Sequence, residues 1–496
     1  MATGVPGLDE VLAGGLPAGR MYLVAGDPGA GKTTLGLQFL LEGRDRGEAC
    51  LYITLSETAA ELRSSAASHG WSLDGIEILD LQSGQGTGRA DAHYTILHPA
   101  EVELGDTMRT IVERIEELRP RRVCFDSLSE VRLLSRESLR FRREVLALKQ
   151  ALAPSGATVL LVDYRTRESR DIHIESLVHG IFELEHHTIE FGSERRRISV
   201  RKLRGSEFRG GHHDYRIRKG GIAVFPRIIA AESRNDYTPQ AFPSGIAGLD
   251  ELLGGGVGTG TSTMLLGPSG VGKSTLASTW ALAAAERGER AVVYLFDEGP
   301  STWVSRLRSL GLDPHRHLDS GRIVLSPVDP AEMSPGQFAS LVQEQAVSHR
   351  ARVVLIDSIN GYLNAMPAAE FLGLHLHELL QMLNHHEVVT LLVLAQHGIL
   401  GQGVRSPIEL SYLADAVVLL RYFEAFGEVG KALSVVKKRH GPHERAIREL
   451  RLSTAGGIDV GGQLTAFQGV LAGSLVFSGG WHEREERVDR EEHDGA

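Results

Sequence analysis

Two stretches of the sequence have the glycine-rich spacing that binds nucleotide phosphates. The pattern G-x-x-x-x-G-K-[ST] occurs at Gly26–Thr33 and again at Gly267–Ser274. The glycines let backbone N–H groups surround the phosphates, the lysine reaches the β- and γ-phosphates, and the hydroxyl binds Mg²⁺. One match could be a simple glycine-rich turn, but two matches, each after a strand and before a helix, predict two ATP sites. The candidate ATP-binding residues are Gly26, Asp27, Pro28, Gly29, Ala30, Gly31, Lys32, Thr33 and Thr34 in the first loop and Gly267, Pro268, Ser269, Gly270, Val271, Gly272, Lys273, Ser274 and Thr275 in the second.

An aspartate closes an apolar strand pattern in each half of the chain. Asp126 ends one such run and Asp357 ends the other, and serine follows both. A carboxylate on a strand neighbouring the phosphate loop typically orients the magnesium ion. Many strands end in aspartate, so the interpretation depends on the matching place of the two. We therefore predict Thr33 and Asp126, and Ser274 and Asp357, as the metal-binding residues.

Hydrolysis or phosphoryl transfer also needs a carboxylate that orients or deprotonates the nucleophile. The candidates follow another strand in each half: Glu57 in LYITLSET, and Asp297 with Glu298 in VVYLFDEG. They could be ordinary exposed acids at strand ends. Because Glu57 and Glu298 coincide when the two halves are aligned, we interpret them as catalytic.

Basic residues occur late in each half, at Lys202 and Arg204 and at Lys437 and Arg439. Three interpretations are open from the residues alone. These side chains could stabilise the transferring phosphoryl group from a neighbouring subunit, form a solvated basic strand, or belong to a nucleic-acid patch, since Arg195–Arg204 is locally very basic.

The histidines are poorly spaced for metal binding. His375 and His377 would point to different faces of a helix, and the adjacent pair His212 and His213 lies among polar residues. We interpret them as solvated. The only cysteines, Cys50 and Cys124, are far apart, which argues against a disulfide framework and a zinc site and fits a reducing cytoplasm.

The bulk composition predicts a folded cytoplasmic protein. The 496 residues are 42% hydrophobic and 23% charged, with a formal net charge of −10. This acidic balance argues against a nucleic acid as the main partner. The longest apolar stretches, such as Val388–Ala395, are too short to span a membrane, and no charged-then-apolar signal opens the sequence.

The chain is internally duplicated. Thr3–Leu35 aligns without gaps to Ser244–Leu276, at an offset of 241 residues and with 15 of 33 positions identical. The offset falls to 231 between Asp126 and Asp357. We predict a first domain at 1–232, a second at 240–472 and an acidic, disordered tail at 473–496, with a polar linker at Ala231–Phe242.

Apolar runs of strand length alternate with helical patterns in both copies. Such runs are typical of buried strands in a mainly parallel sheet with helices on both faces. The predicted fold class is therefore α/β, with two tandem RecA-like P-loop NTPase domains, each built on a mainly parallel central sheet.

Taken together, these motifs resemble the KaiC family of circadian-clock ATPases and autokinases. The resemblance covers residues 2–460 and includes both [TS]-G-[VI]-x-G-L-D-E openings, both phosphate loops, LYITLSET, KLRG at Lys202 and KKRHGPHERAIRE at Lys437. It implies a double-ring homohexamer with ATP between subunits. It also implies that the first ring mainly hydrolyses ATP, and that the second phosphorylates its own hydroxyl residues.

The resemblance assigns further roles to individual residues. Lys202, Arg204, Lys437 and Arg439 match family residues that reach the γ-phosphate from the adjacent subunit. The family's paired glutamates match Ser56 with Glu57 and Asp297 with Glu298, so the first copy keeps one of the two acids.

The family's adjacent Ser-Thr phosphoacceptors match Ser411 and Tyr412. Serine is retained and threonine has become tyrosine, so the expectation is phosphorylation at one site, Ser411. Because the residues depart from the family pattern here, we predict a stand-alone signalling ATPase with signalling proteins as partners, and a role in a circadian clock does not follow from these residues.

The leading hypothesis is thus a Mg²⁺-dependent, hexameric ATPase with serine autokinase activity. One alternative is a RecA- or helicase-like DNA-dependent ATPase, because one fold supports many functions. A second alternative is a regulatory scaffold in which ATP only controls ring assembly.

Overall fold

A computed structural model of the chain describes residues 1–82, 99–135, 137–164, 172–188, 192–233, 237–364, 369–396, 411–425, 427–454, 457–465, 467–468 and 476–477. The fold consists of two compact units, Met1–Arg227 and Ile228–Ala496.

The first unit is built on a nine-stranded sheet in the order β3-β2-β4-β5-β1-β6-β7-β8-β9. The six strands β3, β2, β4, β5, β1 and β6 run parallel to one another, and β6, β7, β8 and β9 pair in antiparallel fashion. Its strands are β1 (Met21–Gly26), β2 (Cys50–Thr54), β3 (Glu77–Asp80), β4 (Arg122–Asp126), β5 (Thr158–Tyr164), β6 (Gly180–His187), β7 (Arg195–Leu203), β8 (His212–Arg218) and β9 (Gly221–Phe225). Its helices are α1 (Leu8–Val11), α2 (Lys32–Asp45), α3 (Ala59–Ser68), α4 (Pro99–Leu118), α5 (Leu128–Ser135), α6 (Ser138–Leu152) and α7 (Ile172–Leu177).

The second unit repeats this plan, with nine strands in the order β14-β13-β15-β16-β12-β17-β18-β19-β20. Two short strands precede this sheet and pair with each other, β10 (Ala241–Phe242) and β11 (Val257–Gly258). The sheet itself consists of β12 (Ser262–Gly267), β13 (Ala291–Leu295), β14 (Ile323–Pro327), β15 (Val353–Asp357), β16 (Val389–Ala395), β17 (Ala416–Ala425), β18 (Glu428–Lys438), β19 (Ile447–Ser453) and β20 (Gly457–Gln463). A second short pair follows it, β21 (Phe467–Gln468) and β22 (Val476–Phe477). Its α-helices are α8 (Ala247–Leu252), α9 (Lys273–Glu286), α10 (Pro300–Arg308), α11 (His315–Asp319), α12 (Pro335–Gln343), α13 (Ile359–Asn364) and α14 (Ala369–His385).

Helices cover both faces of each sheet, which is why the central parallel strands are largely apolar. Along β1, Tyr22 and Val24 pack on the face covered by α2, and Met21 and Leu23 pack on the face covered by α4 to α6. Strands buried on both faces are typical of doubly covered parallel sheets. The predicted α/β class, with two mainly parallel sheets, is confirmed.

The opening motif of each copy has a structural role. The carboxylate of Asp9 accepts a hydrogen bond from the N–H of Thr3 at 2.9 Å, and Asp250 accepts one from the N–H of Ser244 at 2.7 Å. These bonds fold the chain back onto the short helix α1 or α8. The shared sequence of the openings therefore reflects a shared backbone turn.

The segment between the copies packs on the second unit. Ile228 joins an apolar core beside α14, and the N–H of Ala230 donates to Glu378 at 2.8 Å. The predicted tail at 473–496 lies outside the described residues except for Val476–Phe477, which pair with Phe467–Gln468. Among the described helices, none is long and apolar enough to cross a membrane.

Candidate active sites at the two phosphate loops

The first phosphate loop joins β1 to α2 and is held closed by its own lysine. Gly31 has a φ of +88°, which is unfavourable for residues with a Cβ, and it leads directly into α2. The ammonium of Lys32 donates to the carbonyls of Gly26 and Asp27, both at 2.9 Å. Burial lowers the pKa of Lys32. The lysine thus lies inside the loop that a nucleotide would occupy.

Asp126, at the carboxyl end of β4, is bonded to the start of α2. One oxygen, Oδ2, accepts from the Thr33 hydroxyl at 2.8 Å and from the Tyr52 hydroxyl at 2.7 Å. A hydroxyl and a carboxylate in contact are a donor set that suits Mg²⁺, which takes oxygen ligands together with substrate phosphates. Tyr52 was not predicted from the sequence, because it is a buried residue in the middle of a strand.

Glu57 follows β2 and is half-buried next to Asp126. Its backbone N–H and C=O bond the Thr54 hydroxyl, at 3.1 Å and 2.6 Å, which leaves the carboxylate unused by this turn. Burial and the negative charge of Asp126 raise the pKa of Glu57. A carboxylate with a raised pKa is a stronger proton acceptor, as a general base requires.

A further residue beside the first loop is Tyr164, at the end of β5. Its ring lies under the Lys32 ammonium, 4.3 Å from the ring centroid. The strand pairing places Tyr164 opposite Gly26 and places Ala395 opposite Gly267. The second copy therefore has alanine at the position of this ring, a difference that the alignment of the two phosphate loops did not reveal.

The second phosphate loop joins β12 to α9 with the same geometry. Gly272 has a φ of +111°, and the Lys273 ammonium donates to the carbonyl of Pro268 at 2.6 Å. Burial lowers the pKa of Lys273 to about 8. The hydroxyl of Ser274 donates to Asp357 Oδ1 at 3.1 Å.

The other carboxylate oxygen of Asp357, Oδ2, is buried and has no hydrogen-bond partner in the described structure. Burial raises the pKa of Asp357 to about 6. A buried acceptor without a donor is costly, and a cation would satisfy it. The residues Ser274 and Asp357 therefore fit a Mg²⁺ ion. Asp297, predicted beside them, accepts a hydrogen bond from the Ser358 hydroxyl.

Glu298 is paired with Arg306, a residue that was not predicted from the sequence. The Arg306 guanidinium on α10 bonds both oxygens of Glu298. It also donates to the hydroxyl of Thr275, in the first turn of α9, at 3.3 Å. Arg306 lies eight residues after Glu298, on the next helix, and no known motif marks it.

The basic residues predicted to act on phosphate are not near the phosphate loop of their own unit. Lys202 pairs with Ile181 at the start of β6, next to the start of β1, whereas the loop follows the end of β1. Its ammonium donates to the carbonyls of Glu175 and Val178, at 2.6 Å and 2.9 Å. Arg204, two residues later in the turn after β7, is exposed.

Lys437 and Arg439 occupy the corresponding edge of the second sheet. Lys437 pairs with Val417 near the start of β17, and its ammonium donates to the carbonyl of Ser411 at 2.9 Å. Arg439 donates to the carbonyl of Tyr412 at 2.7 Å. Ser411 is exposed, and it too lies at the edge away from the phosphate loop of its own unit.

The interpretation of His213 as a solvated residue is wrong. Only 1% of its surface is exposed, and burial lowers its pKa to about 4. Its Nδ1 accepts from the N–H of Arg227, and its Nε2 bonds the carbonyl of Arg209, both at 2.9 Å. The polar neighbours in the sequence did not show that the side chain of His213 lies on the buried face of β8.

A doubly covered parallel sheet with a P-loop, a hydroxyl on the next helix residue and an acid on a nearby strand defines a P-loop NTPase domain, and this chain has two. The family model of the KaiC ATPase matches residues 1–228 and again 242–465. The chain belongs to the KaiC family of ATPases, and membership implies that it binds ATP.

Sequence similarity to curated relatives extends over nearly the whole chain. KaiC3 of Synechocystis, a circadian clock protein, is 25% identical over 96% of this chain and 95% of its own length. The circadian clock oscillator protein KaiC of Synechococcus elongatus is 26% identical over 96% of this chain and 91% of its own. KaiC2 of Synechocystis is 27% identical over 92% and 80%.

Proposed function

We propose that this protein is a cytoplasmic homohexamer that hydrolyses ATP at subunit interfaces, in a signalling or clock-like role. The observation that carries the proposal is the placement of Lys202 and Lys437 at the sheet edge opposite their own phosphate loops. Cations at that edge cannot reach the ATP of their own unit, but in a ring they would face the loop of the next subunit.

Each site contains residues for the individual tasks of hydrolysis. Mg²⁺, held by Thr33 with Asp126 or by Ser274 with Asp357, would neutralise charge on the phosphate oxygens. Lys32 and Lys273 exchange loop carbonyls for phosphate oxygens when ATP binds. Glu57 accepts the proton of the attacking water in the first copy.

The second copy is proposed to transfer phosphate to Ser411 as well. The exposed Ser411 hydroxyl lies at the edge that would meet a neighbouring subunit's ATP. The basic pair Lys437 and Arg439 anchors the turn that carries this serine. Transfer would therefore occur between subunits.

ATP turnover and native mass are the direct tests. Wild type should hydrolyse Mg-ATP and form hexamers with ATP, and replacing both Lys32 and Lys273 by Ala should abolish turnover. Mixing Lys202→Ala with Lys32→Ala subunits should restore part of the first-copy turnover, because the mixed ring contains some intact interfaces. If mixing restores nothing, the basic residues do not act between subunits.

Phosphosite mapping after incubation with Mg-ATP tests the kinase activity. We expect phosphate on Ser411 in wild type and none in Lys273→Ala. If Ser411 stays unmodified while ATP is hydrolysed, the kinase proposal is wrong and the ATPase proposal stands.

A further inference from the structure

The second site contains a cation, Arg306, at a position where the first copy has a serine. Arg306 bonds both oxygens of the candidate catalytic acid Glu298 and the hydroxyl of Thr275, in the first turn of α9 after the phosphate loop. Its side chain is 22% exposed and that of Glu298 is 19% exposed. The pair is thus mostly buried, where charge-assisted hydrogen bonds are stronger than at the surface.

The first copy has the same spacing but a different residue. The offset of 241 places Ser65 opposite Arg306 and Glu57 opposite Glu298. A serine has neither the charge nor the reach to hold a carboxylate from the next helix. In the part of the chain that the structure describes, no ion pair involves Glu57.

Arg306 is fixed relative to the phosphate loop by the packing of α10. Trp303 and Leu307, on either side of it, are fully buried, and the Trp303 indole donates to Ser278 on α9 at 2.9 Å. Because α9 begins at Lys273, the helix that carries the loop also positions the arginine. The contact with Glu298 is therefore part of a rigid arrangement.

We propose that Arg306 is a positioning residue that restrains Glu298 and so keeps the second site slower than the first. A general base must present a free oxygen lone pair to the nucleophile, and the guanidinium engages both oxygens of Glu298. Each oxygen keeps a further lone pair, but the contact with Arg306 fixes the direction in which that lone pair points. The carboxylate must therefore break part of this contact before it can turn a lone pair towards a nucleophile elsewhere in the site. This inference rests on the proposed ATPase function and adds a reason for different activities at the two sites.

The test uses the full chain with the first site inactivated by Lys32→Ala. In this background, Arg306→Ser, which introduces the residue of the first copy, is expected to raise kcat for ATP about five- to tenfold and to leave KM nearly unchanged. Adding Glu298→Gln should remove the gain, because the gain acts through that carboxylate. Arg306→Lys, which keeps the charge but cannot engage both oxygens, should give a smaller rise, and it provides the answer if Arg306→Ser does not fold.

The reciprocal variant is Ser65→Arg with the second site inactivated by Lys273→Ala. It should lower turnover that depends on Glu57. The proposal is overturned if kcat falls or stays unchanged in both Arg306 variants, if the gain persists with Glu298→Gln, or if Ser65→Arg has no effect. The proposal is also overturned if the second site shows no turnover in any variant of the Lys32→Ala background. In that case turnover by Lys273→Ala, which reports the first site, would still support the proposed ATPase.

Discussion

Burial disfavours the charged form of the ionisable side chains nearest both phosphate loops. It lowers the pKa of Lys32 and Lys273 and raises the pKa of Glu57 and Asp357. A bound polyphosphate and its Mg²⁺ would supply the missing opposite charges. The sites are therefore built so that charge is stabilised by the ligands, and small changes in the surrounding hydrogen bonds should have measurable effects.

Tyr52 is expected to orient Asp126 for magnesium. Its hydroxyl holds Asp126 Oδ2 at 2.7 Å, and Val293 occupies the matching position of the second copy. Residues that orient a metal ligand typically change metal affinity 10- to 100-fold, by order of magnitude. In a Lys273→Ala background, Tyr52→Phe should raise the Mg²⁺ concentration needed for half-maximal binding of a fluorescent ATP analogue about tenfold.

The matched control for this variant is Tyr22→Phe. Tyr22 is also a buried strand tyrosine, but its hydroxyl donates to the carbonyl of Pro17 and not to Asp126. Its loss should change stability without changing the Mg²⁺ requirement. Equal Mg²⁺ curves for Lys273→Ala with and without Tyr52→Phe would show that the Tyr52 hydroxyl does not position the carboxylate.

His213 should make the stability of the first unit depend on pH. Its pKa is about 4 in the folded state and about 6.5 when unfolded. Between these values the unfolded chain binds the extra proton, so the free energy of unfolding falls as pH decreases from about 6.5 towards 4. The total loss is about 3 kcal/mol if the full shift applies.

Urea denaturation at several pH values measures this dependence. His213→Gln should be less stable than wild type at pH 7, because it loses hydrogen bonds to Arg209 and Arg227, but its stability should fall less on acidification. Parallel pH curves for the two proteins would contradict the assignment.

At the level of elements, a small residue lets helix α2 pack closely against β4. A Cβ built on Gly36 would lie 2.4 Å from the Cys124 sulfur, well inside van der Waals contact. The matching residue in α9 is Ala277, so the helix packs on the sheet through a larger residue in the second copy. Helix α2 carries Lys32 and Thr33, and its distance from the sheet therefore sets the position of the first site.

Gly36→Ala should destabilise the protein by about 1–2 kcal/mol, since overpacking outweighs the gain in helix propensity. Denaturant midpoints would measure the change. Cys124→Ala removes the clashing sulfur, so the double variant should be more stable than the sum of the two single changes predicts. Strict additivity would mean that the sulfur is not the obstacle.

At the level of the whole molecule, each unit has its own sheet and its own apolar cores. A unit of over two hundred residues with its own core is large enough to fold alone. The segment before the second sheet belongs energetically to the second unit, because Ile228 and Ala230 contact it.

Separately expressed fragments test this division. Residues 1–227 and 228–496 should each unfold cooperatively, and a fragment of residues 234–496 should be less stable than one of residues 228–496 by about 1–3 kcal/mol, the typical effect of losing buried apolar and hydrogen-bonded contacts. Glu378→Gln, which weakens the bond to Ala230, should lower the stability of the longer fragment only. Equal stability of both fragments would place the boundary after residue 233.

The sequence by itself determined the two phosphate-loop motifs, the aspartates that end β4 and β15, the duplication and the α/β class. These features depend on short spacings such as Gly26 to Lys32 and on apolar runs, which are local. It did not predict the antiparallel strands from β7 to β9, whose mixed polar pattern is ambiguous.

Only the tertiary structure decided what surrounds the loops. Tyr52, Tyr164 and Arg306 reach the sites because the order of strands and helices brings them there, and spacing along the chain does not encode that order. The same topology places Lys202 and Lys437 at the far edge of their sheets and turns His213 inward. The physical reason is that burial and contact depend on all packed neighbours at once, whereas a motif records only residues close together in the chain.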